Sequence, residues 1–411
     1  MSGPLAGVRV IDFTTIVMGP YASQLLGDLG AELIKVEALG GDAMRFVGPK
    51  KHADMGPNFL HLNRGKRSVA LDLKHALGRA ALLQMVKRAD VFLYSLRPHT
   101  LARLGLGYDQ VRAVNAGIIY AGCFGYGQRG PNAGKPAYDD LIQGACAVPS
   151  LTRRATGGEP RYAPLNLADR TVGMYAAMTI NAALYERARS GLGQEVQIPM
   201  FETLTQFVLG DHMWGHTHVP PNDGTAYVRL ISPERRPFRT LDGFICVLIY
   251  SDRQWQSFLA LIGQPGRFTE DARFRDADSR TRHVDEVQAF VAVTLATRGT
   301  EEWLTVLEAA DIPVTRMNTL ESLLEDPHLA ATGFFEEVEH PTEGRLRMMR
   351  VPAEFSRTPA QPERLAPRLG EHSVQVLREA GLSDRQIAEM IELGVTLGVT
   401  VDAAANTSER A

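Results

Sequence analysis

Asp169 is a residue whose type and place could do chemistry. It stands in PLNLADRTVGMYAA, directly ahead of the longest helical pattern, Arg170–Ser190. There Val172, Met174, Ala176, Ala177, Ile180, Ala183 and Leu184 recur at helical spacing, and Gly191 and Gly193 end the run. A carboxylate at a helix start is favoured in its ionised form and is available as a nucleophile. The same placement also reads as an ordinary N-cap, worth about 1 kcal/mol. Other residues present weaker chemistry. Gly125-x-Gly127-x-x-Gly130 has the letters of a dinucleotide fingerprint, but Pro131, Gly134 and Pro136 forbid the helix that must open at its end. A glycine-rich loop is the better account. His212 and His216 would share a helix face, as zinc ligands do, with His218 close by. No glutamate follows His212, and Pro220 and Pro221 end the helix, so surface or interface histidines are expected. Asn63-Arg64-Gly65-Lys66-Arg67, Lys74, Arg97 and Arg103 are cations near strand ends, where α/β folds bind phosphates. For any one of them taken singly, a solvated face is the better account.

These residues need a scaffold, and the first 125 residues alternate strand and helix. Val8–Thr14, Ala31–Glu37, Ser68–Leu73, Asp90–Leu96 and Gly117–Phe124 read as strands. A helix from Pro20 to Gly30, another over His75–Ala89 and a third over about Pro98–Asn115 separate them. Such βαβ units predict a parallel sheet with right-handed crossovers, hence a Rossmann-like α/β layer. A further helix is expected over Met200–Trp214. From about Gly215 the chain turns rich in Pro, Gly and polar residues, a linker, and Asp242-Gly243 then marks a hairpin. Helices near Asp252–Ile262, Asp285–Thr297 and Glu301–Ala310 complete a smaller α+β domain over residues 215–329. Residues 1–214 and 330–411 form the large domain. Ser383 and Gln386 make a capping box for the last helix, and the tail after Gly394 is expected to fray.

Composition excludes several classes. The 411 residues are 45% hydrophobic and 22% charged, a globular mix. Lys+Arg 44 against Asp+Glu 47 argues against nucleic acid as the main partner. No apolar run approaches the ~20 residues that span a bilayer, and Arg9 and Asp12 interrupt the only early apolar stretch, so neither anchor nor signal peptide is expected. Cys123, Cys146 and Cys246 are few and widely spaced, and read as thiols of a reducing, cytoplasmic compartment. No metal site is expected.

Five blocks in order resemble the class III CoA-transferases. They are PLAGVRVIDFTTIVMGPYASQLLGDLGAELIKVE, NRGKRSVALDLK, ADVFLYSLRPHTLARLGL, GCFGYGQRGP, and the stretch from AYDD through LADRTVGMYAAMTINAALYERARSGLGQEVQIPMFE. The resemblance implies that Asp169 is the catalytic aspartate, passing an acyl group through an aspartyl anhydride and an aspartyl-CoA thioester. It implies that Leu71, Lys74, Arg97 and Arg103 contact coenzyme A, with Tyr138 and Asp139 an aromatic–acid pair near the aspartate. It further implies no resident cofactor beyond the CoA thioester substrate, and an interlocked homodimer. Val17 and Ala38 depart from the polar and basic residues of formyl-CoA transferase, and IYSDRQW replaces its glycine-run lid. Formyl or oxalate specificity is therefore not expected. The related racemases pair a histidine with the aspartate as two acid/base groups. Tyr138 takes that histidine's place, and phenols, ionising near about 10, are poor bases at neutral pH. CoA transfer is the expected activity, with α-carbon racemisation or epimerisation as the alternative and a silent CoA-binding protein as a third reading. Arg229, Arg235, Arg236 and Arg239 are candidates for holding a second carboxylate, hence a dicarboxylate substrate.

Overall fold

A computed structural model describes residues 2–362 and 364–398. Its centre is a six-stranded sheet of β1 (Arg9–Phe13), β2 (Glu32–Glu37), β3 (Lys66–Ala70), β4 (Val91–Tyr94), β5 (Ile119–Phe124) and β6 (Gln194–Pro199). The order is β3-β2-β1-β4-β5-β6 and every pairing is parallel. Five of these strands bury almost every residue, as a sheet covered on both faces must. Parallel pairing puts all C-terminal strand ends on one edge. Chain order reverses between β1 and β4, and the crevice there is where such sheets bind ligands.

The loop leaving β1 is held on both sides of that crevice. Ile16 adopts φ 72, a left-handed conformation that a β-branched residue resists. Its N–H donates to Asp42 Oδ1 at 3.2 Å, and Lys35 Nζ bridges Thr14 O and Asp42 Oδ2, both at 2.9 Å. Across the crevice, Thr15 N–H donates to Ser95 Oγ, just past β4, at 3.1 Å. Beneath lies a fully buried Asp12–Lys66 pair at 2.8 Å.

The long helix runs Leu167–Ser190, beginning three residues before the predicted start. It packs chiefly on the Met18–Asp28 helix, and Gly173 permits the close approach. A Cβ at Gly173 would lie 2.9 Å from both the Met18 carbonyl oxygen and the Tyr21 ring. The expected Pro98–Asn115 helix is two helices, Pro98–Arg103 and Tyr108–Val114, because Gly105 takes φ 68 between them. The Met200–Trp214 expectation ends at His212, where a short 3-10 turn, Trp214–Thr217, follows. Helices Asp139–Ala145 and Val148–Thr156, and strand β6, were not anticipated. The tail does not fray directly after Gly394. Val395 and Thr396 are buried, Asp72 N–H donates to Val395 O at 2.8 Å, and Thr396 Oγ1 donates to Ala70 O at 2.7 Å. Residues 399–411 lie outside the described residues.

The chain forms two compact units: residues 1–146, 164–205 and 331–411, and residues 147–163 with 206–330. The second contains an antiparallel sheet of β7 (Phe238–Arg239), β8 (Phe244–Val247) and β9 (Val314–Arg316). Asp242-Gly243 turns β7 into β8, with Thr240 N–H donating to Gly243 O at 3.0 Å. Helices Asp252–Leu261, Val284–Leu295 and Thr300–Ala309 surround a core of Trp255, Phe258, Phe274 and Trp303. Among the described residues, no helix is long and apolar enough to cross a membrane.

Candidate active site

The crossover from β5 to β6 decides where Asp169 sits. The chain leaves β5 at the C-terminal edge, passes the loop over residues 125–138 and the Asp139–Ala145 helix, and descends through Leu167–Ser190 to β6. The N-terminus of that long helix therefore stands at the ligand edge of the sheet. Gly173 against Met18, the first residue of the helix that follows β1, puts it beside the β1 end of the crevice.

Asp169 is the third residue of the helix, not its cap, so the capping reading is corrected. Asn166 occupies the cap position and makes no side-chain capping bond. The Asp169 N–H is instead satisfied by Asp139 Oδ1 at 2.9 Å. Asp139 Oδ2 accepts from Gln143 Nε2 at 2.5 Å, and Gln143 Nε2 also reaches Leu165 O at 3.2 Å. Both oxygens of Asp139 are thus engaged inside the protein, and Asp139 clamps the first turn of the long helix. Neither carboxylate oxygen of Asp169 takes a hydrogen bond or ion pair from a described residue.

The expected ionised state is also corrected. Burial pushes the Asp169 carboxyl up to about 7, the negative charge of Asp139 adds to this, and Arg170 opposes it. A helix terminus offers about 0.3–1 kcal/mol to an anion, less than one pKa unit at about 1.4 kcal/mol each. Burial and a neighbouring carboxylate win. Arg170 is held elsewhere, its guanidinium 4.4 Å from the centre of the Tyr21 ring.

The remaining candidates distribute unevenly. Lys74 and Arg97 follow the C-terminal ends of β3 and β4, on the Asp169 edge, and are exposed, as is Arg103 at the end of the Pro98–Arg103 helix. Arg97 Nη1 donates to Gly134 O at 3.2 Å, tying it to the glycine-rich loop. That loop forms no helix, and Gly127 N–H donates to Glu202 Oε1 at 2.9 Å. Tyr138 is 64% exposed beside Asp139. Leu71 is 1% exposed, bridged to Thr396, so its side chain belongs to the core. His212 Nδ1 accepts from Tyr227 N–H at 3.3 Å, and among the described residues no group of three His, Cys, Asp or Glu could hold a metal. Sequence reading passed over His61. Burial, with Arg64 and Arg170 nearby, holds its imidazole below the ordinary value, and its buried Nδ1 has no partner among the described residues. No sequence signal marks it, because its lowered basicity comes from packing.

With this geometry established, comparison with known proteins is decisive: the model of CoA-transferase family III matches residues 5–373. The chain belongs to that family. A succinate–glutarate CoA-transferase from Agrobacterium fabrum is 33% identical over 391 residues, covering 93% of this chain and 97% of that protein. The probable fatty acyl-CoA transferase Rv3272 of Mycobacterium tuberculosis is 33% identical over 91% of this chain and 97% of its own length. A crystal structure of Rv3272 superposes with a TM-score of 0.78, at 32% identity, covering 91% of this chain and 99% of that one. The chain is thus a class III CoA-transferase of mixed α/β fold, acting on CoA thioesters.

Proposed function

We propose that the enzyme moves CoA from an acyl-CoA donor to a carboxylic acid acceptor with Asp169 as covalent nucleophile. The observation that carries this is a half-buried carboxylate, unengaged by any described residue, at the ligand edge of the sheet. An Asp169 oxygen attacks the thioester carbonyl and the C–S bond breaks, leaving a mixed anhydride and CoA thiolate. The thiolate attacks the aspartyl carbonyl, releasing the donor acid and leaving an aspartyl-CoA thioester. The acceptor carboxylate attacks that thioester, forming a second anhydride and freeing the thiolate again. Attack of the thiolate on the acceptor acyl carbon gives the new acyl-CoA and restores Asp169. Splitting the exchange in this way replaces one difficult step with easier ones. A carboxyl raised to about 7 is also a stronger nucleophile, once ionised, than one near 4. Burial keeps water from the anhydrides.

In this reading residues 147–163 with 206–330 form the smaller domain, and the first compact unit, residues 1–146, 164–205 and 331–411, is the Rossmann-like domain that binds CoA. Lys74, Arg97 and Arg103 neutralise its phosphates, and Leu71 contributes through backbone, since its side chain is buried. Tyr138 borders the reacting carbonyl and Asp139 positions Asp169. The protein works as an interlocked homodimer in the cytoplasm, with no resident cofactor. For the acid, segment 229–239 supplies four arginines, and the names of relatives span dicarboxylate and fatty acyl substrates.

The test is trapping with hydroxylamine during turnover. Asp169 should become a hydroxamate, detected by mass spectrometry on its peptide. Asp169→Asn should lose on the order of 10³-fold in turnover while still binding CoA. Turnover near the wild-type rate in Asp169→Asn would exclude the covalent route. A pKa near 7 also suits a general base, which keeps the racemase reading in play. Deuterium incorporation at the acyl-CoA α-carbon, without CoA transfer, would support it instead.

A further inference from the structure

The second unit contains a cavity of about 520 Å³, a size typical of small-molecule sites. Three arginines, Arg229, Arg235 and Arg236, line it, and no acidic side chain does. Arg236 is partly neutralised by Glu234 at 3.0 Å, from outside the lining. Among the described residues, the guanidiniums of Arg229 and Arg235 have neither an ion pair nor a hydrogen bond. Arg239 turns away and stacks on Phe244, its guanidinium 4.8 Å from the ring centre. The remaining wall is largely apolar, built from β8, β9 and the Asp252–Leu261 and Val284–Leu295 helices. Two uncompensated cations beside an apolar wall suit an anion with a hydrocarbon body. A short dianion or inorganic phosphate would leave that wall wet. Each methylene buried against it should instead raise affinity about fourfold.

We propose that this cavity binds an amphipathic monocarboxylic acid, its carboxylate on Arg229 and Arg235 and its aliphatic body against Phe238, Val247, Trp255 and Val314. Binding stands on the cavity alone. The proposal departs from the dicarboxylate expectation, because Arg229 and Arg235 share the lining with an apolar wall and the third arginine of the lining, Arg236, is already paired with Glu234.

The test is calorimetric titration of the full chain with octanoate, glutarate and inorganic phosphate. Octanoate should bind at least tenfold more tightly than either other anion. Arg229→Gln with Arg235→Gln should weaken octanoate at least tenfold while leaving the melting temperature unchanged. Thr315→Trp, an exposed position that narrows the cavity, should weaken it as well. Absence of octanoate binding, equal or tighter binding of glutarate or phosphate, or unchanged affinity in both variants would each overturn the proposal. Asp169→Asn should bind octanoate like the wild type. If octanoate fails to bind while hydroxamate still forms on Asp169, this site is wrong and the covalent reading stands. If octanoate binds but no hydroxamate forms, the covalent reading falls and the site remains.

Discussion

Asp169 and Asp139 form a unit whose behaviour follows from two facts. Asp139 donates nothing to the Asp169 carboxylate, but its charge and its grip on the Asp169 N–H both act on it. If the ionised form attacks, kcat/KM should rise about tenfold per pH unit below about 7 and level off above it. Asp139→Asn can still accept the Asp169 N–H, but it removes the neighbouring negative charge. The midpoint of the pH profile should therefore move to lower pH, and an unmoved midpoint would refute the electrostatic role given to Asp139. Stability carries the same signature with a definite sign. Between about pH 4 and 7 the folded chain keeps a proton on Asp169 that the unfolded chain has released, so stability falls as pH rises through that window. Asp169→Asn does not titrate. Discounted for partial solvation, its advantage over the wild type should grow to on the order of 2 kcal/mol by pH 8 and vanish near pH 4. Thermal melts at the two pH values check this. The place of Asp169 at a helix start was legible in the sequence, but its protonation was not. Letters gave a helix start and hence a stabilised anion, whereas the raised pKa comes from burial and from a carboxylate 30 residues away.

At the scale of elements, periodicity identified what burial is uniform enough to imprint. β1, β2, β4 and β5 lie inside predicted strands, and the three long helices of the second unit begin and end within two residues of their predicted limits. β3 is displaced toward Lys66, because Lys66 and Arg67 are charged residues buried inside a strand by Asp12, Glu32 and Glu379. β6 escaped notice since QEVQIP alternates exposed and half-buried positions at the sheet edge and ends in proline. The split at Gly105 was hidden because a lone glycine in a helical pattern does not disclose its φ. Gly173, likewise, reads as a helix interior glycine, yet it sets how close the Met18–Asp28 and Leu167–Ser190 helices come. Gly173→Val should force them apart at a backbone oxygen that cannot yield, costing about 1–3 kcal/mol. Because Asp169 lies one turn away, turnover should fall along with melting temperature, whereas Gly173→Ala should show a smaller version of both.

At the scale of the whole molecule, the first unit leaves an apolar stripe uncovered. Met174, Met178 and Tyr185 recur along one side of the Leu167–Ser190 helix, 51%, 58% and 70% exposed, with Leu165 70% exposed just ahead of it. Large side chains of this kind scattered singly are ordinary, but a stripe at helical spacing, on the same helix as Asp169, is a candidate contact surface. A second copy of the chain is the occupant consistent with the proposed homodimer, since a two-fold interface repeats the same stripe on both subunits. Light scattering at micromolar concentration should then give about twice 45.1 kDa. Met178→Glu combined with Tyr185→Glu places like charges on both sides of a two-fold contact and removes its apolar area, so the dimer should dissociate at concentrations where the wild type remains paired. Neither residue belongs to the core, so far-ultraviolet circular dichroism should stay native in each subunit. Activity should fall together with dimer content across a dilution series if the site works only in the proposed dimer. A double variant that stays dimeric, or a wild-type chain that is monomeric and fully active, would show that this face serves some other contact and that Asp169 works within a single subunit.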